Sequence, residues 1–169
     1  MRRASGDTLT TERGGAMRRS TEIEVTREAP RDYEVLRSML HTRPSQLVRM
    51  AFPEAVQDSE SIAVLRLPRA PRIGVRAVVE FRSPDSSDDG AVIALTWRAR
   101  HLASAFPVMH AVVHLHPVGP ERTEMTLKGH YVVPLGLLGL VGDQLIGAAG
   151  ARATARRFLD DLVGALETP

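Results

Sequence analysis

Histidine is the residue type in this chain best suited to metal binding or acid–base chemistry, and three of its six histidines fall within seven residues. These three are His110, His114 and His116. In a strand they would share one face, opposite to Ala111, Val113 and Leu115, and would therefore point at solvent. A metal would also need a converging third ligand, and Glu124 on the next strand is the only candidate. The pattern predicts that these three histidines face outward and form neither a metal site nor a catalytic site.

Three further side chains have both a functional and a structural interpretation. Trp97 is the only tryptophan, and strand alternation places its side chain on the inner face of the sheet. There it can either stack on a ligand ring or simply fill the core. Tyr131 can place its hydroxyl at a cavity mouth or form a structural hydrogen bond. Asp143 lies near the predicted start of a long helix, where a carboxylate caps free N–H groups. The structural interpretation is favoured for each.

Composition excludes several classes of protein. The chain has 169 residues and a mass of 18.5 kDa, which is enough for one domain with a substantial core. Apolar residues make up 43% and charged residues 25%, so wholesale disorder is excluded. The absence of cysteine removes disulfides, thiolate metal sites and thiol nucleophiles.

The charge pattern does not predict nucleic-acid binding. The net charge is +2, and the arginines are interleaved with acidic residues rather than gathered in one patch. No apolar run follows the basic N-terminus, so we expect a cytoplasmic protein without a signal peptide. The apolar stretch 131–150 contains Pro134, Asp143 and Gln144. We therefore expect no stable membrane insertion. The sequence leaves the oligomeric state open.

Hydrophobic periodicity divides the chain into a tail and one domain. Residues 1–19 lack any period and are predicted to be a disordered tail, and residues 20–169 to be a single domain. Residues 21–27 alternate as a half-buried strand. Pro30 is a plausible first residue of a helix, and a second short helix is predicted behind Pro44.

The middle of the chain has the period of two that is typical of strands, with turn residues between the segments. The predicted strands cover residues 61–67, 75–82, 91–99, 110–116 and 122–128. Everything after about Gly139 is predicted to be one helix, with small side chains between Gly147 and Ala155. The fold class is therefore α+β: a curled antiparallel sheet around a long C-terminal helix, with two short helices after the first strand.

Short motifs in residues 97–143 carry a resemblance to a known superfamily. They are Trp97-Arg98-Ala99, Phe106-Pro107, Gly129-His130-Tyr131, Pro134-Leu135-Gly136, Gly139 and Asp143. With the order of elements, they resemble the helix-grip superfamily (START-like, SRPBCC), which includes polyketide cyclase-like and lipid-transfer proteins. The resemblance covers residues 20–167. It implies a cavity between sheet and helix, and it leaves the activity open because members of the superfamily differ in function.

The inward-facing residues predict a container for an apolar molecule such as a lipid, polyketide or aromatic metabolite, with no cofactor. The predicted ligand-binding residues are Leu95, Trp97, Val113, Leu115, Met125, Leu127, Tyr131, Leu145, Ala149 and Ala153. No ionisable group is expected on the concave face. A cyclase- or aromatase-type enzyme therefore has to use His101 or Tyr131. A third alternative is an interaction module with a filled core and an exposed strand edge.

Overall fold

The computed structural model describes residues 20–53, 62–67, 70–84, 90–101, 108–132 and 148–167. The predicted tail, residues 1–19, lies outside these ranges. The described strands are β1 (Ser20–Ala29), β2 (Ile62–Leu67), β3 (Ala70–Arg82), β4 (Ala91–Ala99), β5 (Val108–Gly119) and β6 (Arg122–Val132). The described helices are α1 (Tyr33–Thr42), α2 (Pro44–Ala51) and α3 (Ala148–Glu167).

The strands form one six-stranded antiparallel sheet in the order β1-β6-β5-β4-β3-β2. Adjacent strands lie about 4.8 Å apart, so the edges of a flat sheet of this size would be about 24 Å apart. Helix α3 nevertheless contacts both edge strands, β1 and β2. A helix of 20 residues, about 30 Å long, could cross a sheet of this width, but the backbone of α3 lies close mainly to the two edge strands rather than to β3, β4 and β5 between them. The sheet therefore curls around the helix, as the sequence predicted.

The two short helices pack on the sheet and on α3: α1 contacts β4, β5 and β6, and α2 contacts β2 and α3. Helix α1 begins at Tyr33, and the carboxylate of Asp32 accepts hydrogen bonds from the N–H groups of Glu34 and Val35. The prediction that Pro30 starts the helix was wrong, because the capping carboxylate fixes the start three residues later. Helix α2 begins at Pro44, as predicted.

Strand alternation places apolar side chains on the concave face. Val113, Met125 and Leu127 are buried, and Lys128 is exposed, as predicted. Leu115 is only half-buried, because β4 begins opposite the preceding residue and Leu115 has a strand neighbour on one side alone. His114 is half-buried as well.

The helical elements and the sheet share one core. Its members from the helices include Leu36, Leu40, Leu47, Val48, Phe158, Leu159, Leu162 and Leu166. Strand β3 starts at Ala70, five residues before the predicted strand. The predicted helical segment from Gly139 to Gly147 lies outside the described residues. Across the described part of the chain, no helix is both long enough and apolar enough to cross a membrane.

Candidate functional site

The predicted ligand-binding residues of the sheet form one continuous patch on three neighbouring strands. The strand register pairs Trp97 with Met109, and Met109 with Tyr131. The same register pairs Val113 with Leu127. Within the patch Leu95, Trp97, Val113, Met125, Leu127 and Tyr131 are buried, and Leu115 is half-buried. The concave face of β4, β5 and β6 is thus apolar and contiguous.

Helix α3 packs an aromatic ring against this patch. The centre of the Phe158 ring lies 4.8 Å from that of Trp97 in a tilted arrangement. On its other side Phe158 stacks on Phe52 at 5.8 Å. Such aromatic pairs stabilise a core beyond the area that they bury. Trp97 therefore contacts the core on at least one side, which agrees with its structural interpretation.

The side chains of α3 change in size along the helix. Ala155 is fully buried, and beyond it the buried positions are large: Phe158, Leu159, Leu162, Val163 and Leu166. Before it, Ala151 and Ala153 are small and half-buried. Ala151 packs against the core. Of the predicted helical ligand contacts, Ala153 is half-buried but is not among the residues packed against the core, and for Ala149 only the helical backbone is described. Leu145 lies outside the described residues.

An ion pair links the edge of the concave face to α3. Arg27 continues the inward parity of β1, and its guanidinium donates two hydrogen bonds to the carboxylate of Asp160. It also donates to the carbonyl oxygen of Thr26 at 2.8 Å. The expectation of no inward ionisable group was therefore wrong at Arg27. Continued alternation past Val25 was the sequence signal for it.

The ion pair links β1 to α3 but contributes little to stability. Side-chain exposures of 31% for Arg27 and 46% for Asp160 let water screen it, so it adds at most about 1 kcal/mol to stability. A second contact uses a fully buried side chain: the hydroxyl of Thr123 donates to the carbonyl oxygen of the half-buried Arg31 at 2.8 Å. It holds the start of β6 against the turn before α1.

The histidines of β5 face away from the helix, as predicted, but one of them has defined partners. His110 lies directly between Thr96 on β4 and His130 on β6 in the sheet register. Its Nδ1 atom is 3.1 Å from the hydroxyl of Thr96. Its ring centre is 5.4 Å from that of His130. Among the described residues, no three His, Cys, Asp or Glu side chains lie close enough to hold a metal together.

Burial lowers the pKa of His110, and the nearby His130 and Arg82 lower this pKa further. The neutral ring is favoured in the folded state. As the pH falls toward and below the ordinary histidine pKa of about 6.5, the unfolded chain therefore binds more protons than the folded chain. Stability should therefore fall as the pH drops through this range and into the lowered pKa. We expect His110→Gln to flatten the fall in urea-unfolding free energy between about pH 7.5 and 5.

His116→Gln is the matched control for this experiment, because it removes an exposed histidine from the same strand and face. Its pH dependence should stay closer to the wild type than that of His110→Gln. Equal slopes for the wild type and His110→Gln would contradict the assignment.

The curled sheet, the two short helices and the long C-terminal helix together define a protein of the helix-grip, START-like fold. The truncated norcoclaurine synthase of Thalictrum flavum has the same fold, with a TM-score of 0.52 over 92% of this chain and 99% of its own. The two sequences are 9% identical.

Two bacterial structures are similar as well. Mll3558 of Rhizobium loti matches 89% of this chain and 99% of its own, with a TM-score of 0.50 and 14% identity. A START superfamily protein of Mycobacterium smegmatis aligns more loosely, over 86% of this chain and 94% of its own, with a TM-score of 0.46 and 16% identity. No family model and no curated protein sequence matches the chain. Identities this low establish the fold and not the activity.

Proposed function

We propose that this protein binds an apolar small molecule between the concave face of its sheet and the N-terminal half of α3. The observation that carries the proposal is the contiguous apolar patch on β4, β5 and β6. Ligand pockets are mostly lined by apolar and aromatic side chains, with few polar groups. This face offers Leu95, Val113, Leu127 and the ring of Trp97, with Tyr131 as a polar handle.

The change in side-chain size along α3 supports a position for the ligand. Phe158 and the residues after it fill the space beneath the C-terminal half of the helix. The alanines before Ala155 are too small to fill the space between the N-terminal half of α3 and the sheet. Side chains of the sheet or a bound molecule must occupy it. Retained apolar volume without an occupant is destabilising, by about 24 cal/mol per Å³ in one engineered series. A ligand would remove that cost.

The alternative function is that of a cyclase- or aromatase-type enzyme that uses the same pocket. The Tyr131 phenol is buried on the concave face, where it can reach a bound molecule or hold a structural hydrogen bond. His101, the other candidate acid–base residue, is exposed at the end of β4. Turnover that is lost in Tyr131→Phe, with binding retained, would favour the enzyme over the binding protein.

The first test is direct binding of a neutral apolar probe, N-phenyl-1-naphthylamine, to the full chain. Trp97 is the only tryptophan, so energy transfer from its ring to the probe reports binding close to the concave face. We expect saturable quenching of tryptophan emission. Mass spectrometry of an organic extract of the purified protein should then identify any molecule that the probe displaces.

Ala151→Leu should lower the affinity for the probe by about tenfold, because Ala151 packs against the core and the added methyl groups displace ligand atoms worth about 0.8 kcal/mol per CH₂. Ala165→Leu is the matched control: the same change on the same helix, also half-buried, in the half where large side chains already fill the core. It should leave probe affinity within about twofold of the wild type.

The same variants distinguish a pocket from a packed interior. If the interior is already filled, Ala151→Leu should destabilise the protein by about 1–3 kcal/mol, as overpacked cores do. That cost, together with no probe binding by the wild type, would rule out the ligand proposal and favour an interaction module with a filled core.

A further inference from the structure

The convex face of the sheet carries a row of polar side chains that the proposed ligand site does not use. The row crosses β4, β5, β6 and β1, and its members lie directly opposite one another in the sheet register: Thr96, His110, His130 and Glu22. Directly opposed residues of antiparallel strands have Cβ atoms about 4.5–5.5 Å apart, so their side chains interact. His110 and His130 are such a pair, and they lie on the outer side of the two central strands of this row.

The spacing of the two rings matches that of two imidazoles bound to one metal ion. A metal–nitrogen bond is about 2.0–2.1 Å long, and the ring centre lies about 1.2 Å beyond the nitrogen, so two rings on one ion have centres about 4.6–5.3 Å apart at bond angles of about 90–109°. The observed separation is 5.4 Å. This is just above that range, so the two side chains would have to rotate slightly to bring both rings onto one ion.

Thr96 supplies the support that metal-binding histidines ordinarily have. A ligating imidazole usually forms a hydrogen bond through its other nitrogen, which fixes the ring and its tautomer. The hydroxyl of Thr96 lies 3.1 Å from Nδ1 of His110, so Nε2 is the atom left for a metal.

We propose that His110 and His130 form a two-histidine chelate for a divalent first-row transition ion, with water completing the coordination. Imidazole nitrogens bind Cu²⁺, Ni²⁺ and Zn²⁺ well, and of these three ions Cu²⁺ should bind most tightly. Glu22, opposite His130 and exposed, lies at the next position of the row. The site is on the opposite side of the sheet from the apolar patch, and it is independent of the proposed function.

The test is calorimetric titration of untagged, full-length protein with NiCl₂ near pH 7.5. We expect one ion per chain and a loss of affinity of at least about tenfold in both His110→Gln and His130→Gln, since each removes half of the chelate. Thr96→Val should weaken binding by about 10–100-fold, the effect typical of lost outer-shell hydrogen bonds. Circular dichroism of each variant checks that it is folded.

His114→Gln is the matched control, because His114 is half-buried on the same strand and face but lies opposite Thr126 rather than a histidine. Its affinity for Ni²⁺ should equal that of the wild type. A loss in His114→Gln as large as in His130→Gln would overturn the pair assignment. So would wild-type binding that survives both substitutions of the pair, or no binding by the wild type.

Discussion

Replacing Phe158 with alanine is expected to lower the free energy of unfolding by about 3–5 kcal/mol, the usual cost of deleting a buried phenylalanine ring. The ring is 1% exposed. It stacks on Phe52 and tilts against Trp97, and so joins α2, α3 and β4. Its removal takes away the transfer free energy of the ring and leaves a cavity at the junction of three elements. Urea unfolding followed by circular dichroism measures the loss.

Tryptophan emission gives a local readout of the same change. Because Trp97 packs directly on Phe158, its emission should shift to longer wavelength in the folded variant as water gains access. Phe81→Ala is the matched control, since that ring packs against the core but stays half-buried. It should cost clearly less. A loss below about 1 kcal/mol in Phe158→Ala would contradict a central packing role for this ring.

Alternation along the strands was enough to predict the concave face, because a period of two fixes which side chains share a side of a sheet. Val113, Met125 and Leu127 are buried for this reason. Alternation does not indicate where a neighbouring strand begins. Leu115 is half-buried because β4 does not extend beside it, which only the long-range register reveals.

Strand irregularities and contacts between residues far apart in the chain could not be predicted from hydrophobic periodicity. The register of β4 shifts between Ala91 and Ile93, and the four residues 92–95 are all buried, so burial does not alternate along this part of the strand. The partner of Arg27 is 133 positions away on α3, and nothing local to either residue predicts that meeting. The start of α1, in contrast, was available from the sequence, since Asp32 is a better capping residue than a proline two positions before it.

The candidate site was predictable in part for the same physical reasons. The site residues on the sheet follow from strand alternation, and the structure places them on the three adjacent strands β4, β5 and β6. Its helix half depends on how α3 approaches the sheet, and the assignment of Leu145 and Ala149 stays a prediction. The pairing of His110 with His130 was missed, because the two histidines belong to strands whose register the sequence alone does not specify.

Gly129→Ala is expected to be among the most destabilising single changes in the sheet, costing about 3 kcal/mol, the upper end of the range for overpacking. The motif around Gly129 carried the resemblance to the helix-grip superfamily, and the structure shows what its glycine does. A Cβ atom built there would clash with the carbonyl oxygen of His110 and lie 2.6 Å from the Cβ of Ala111. Two of its three nearest contacts are backbone atoms of β5, so neither a rotamer change nor a flexible side chain can relieve the overlap.

Strands β5 and β6 would have to separate around Gly129, and the hydrogen bonds between them would lengthen. Gly119→Ala is the matched control, because the added Cβ would meet only the side chain of Arg122, at 3.6–3.7 Å, which is ordinary contact. That variant should stay within about 0.5 kcal/mol of the wild type in urea unfolding. Amide hydrogen exchange should show lost protection along β5 and β6 in Gly129→Ala alone. Wild-type stability in Gly129→Ala would mean that the two strands do not approach as closely as the structure shows.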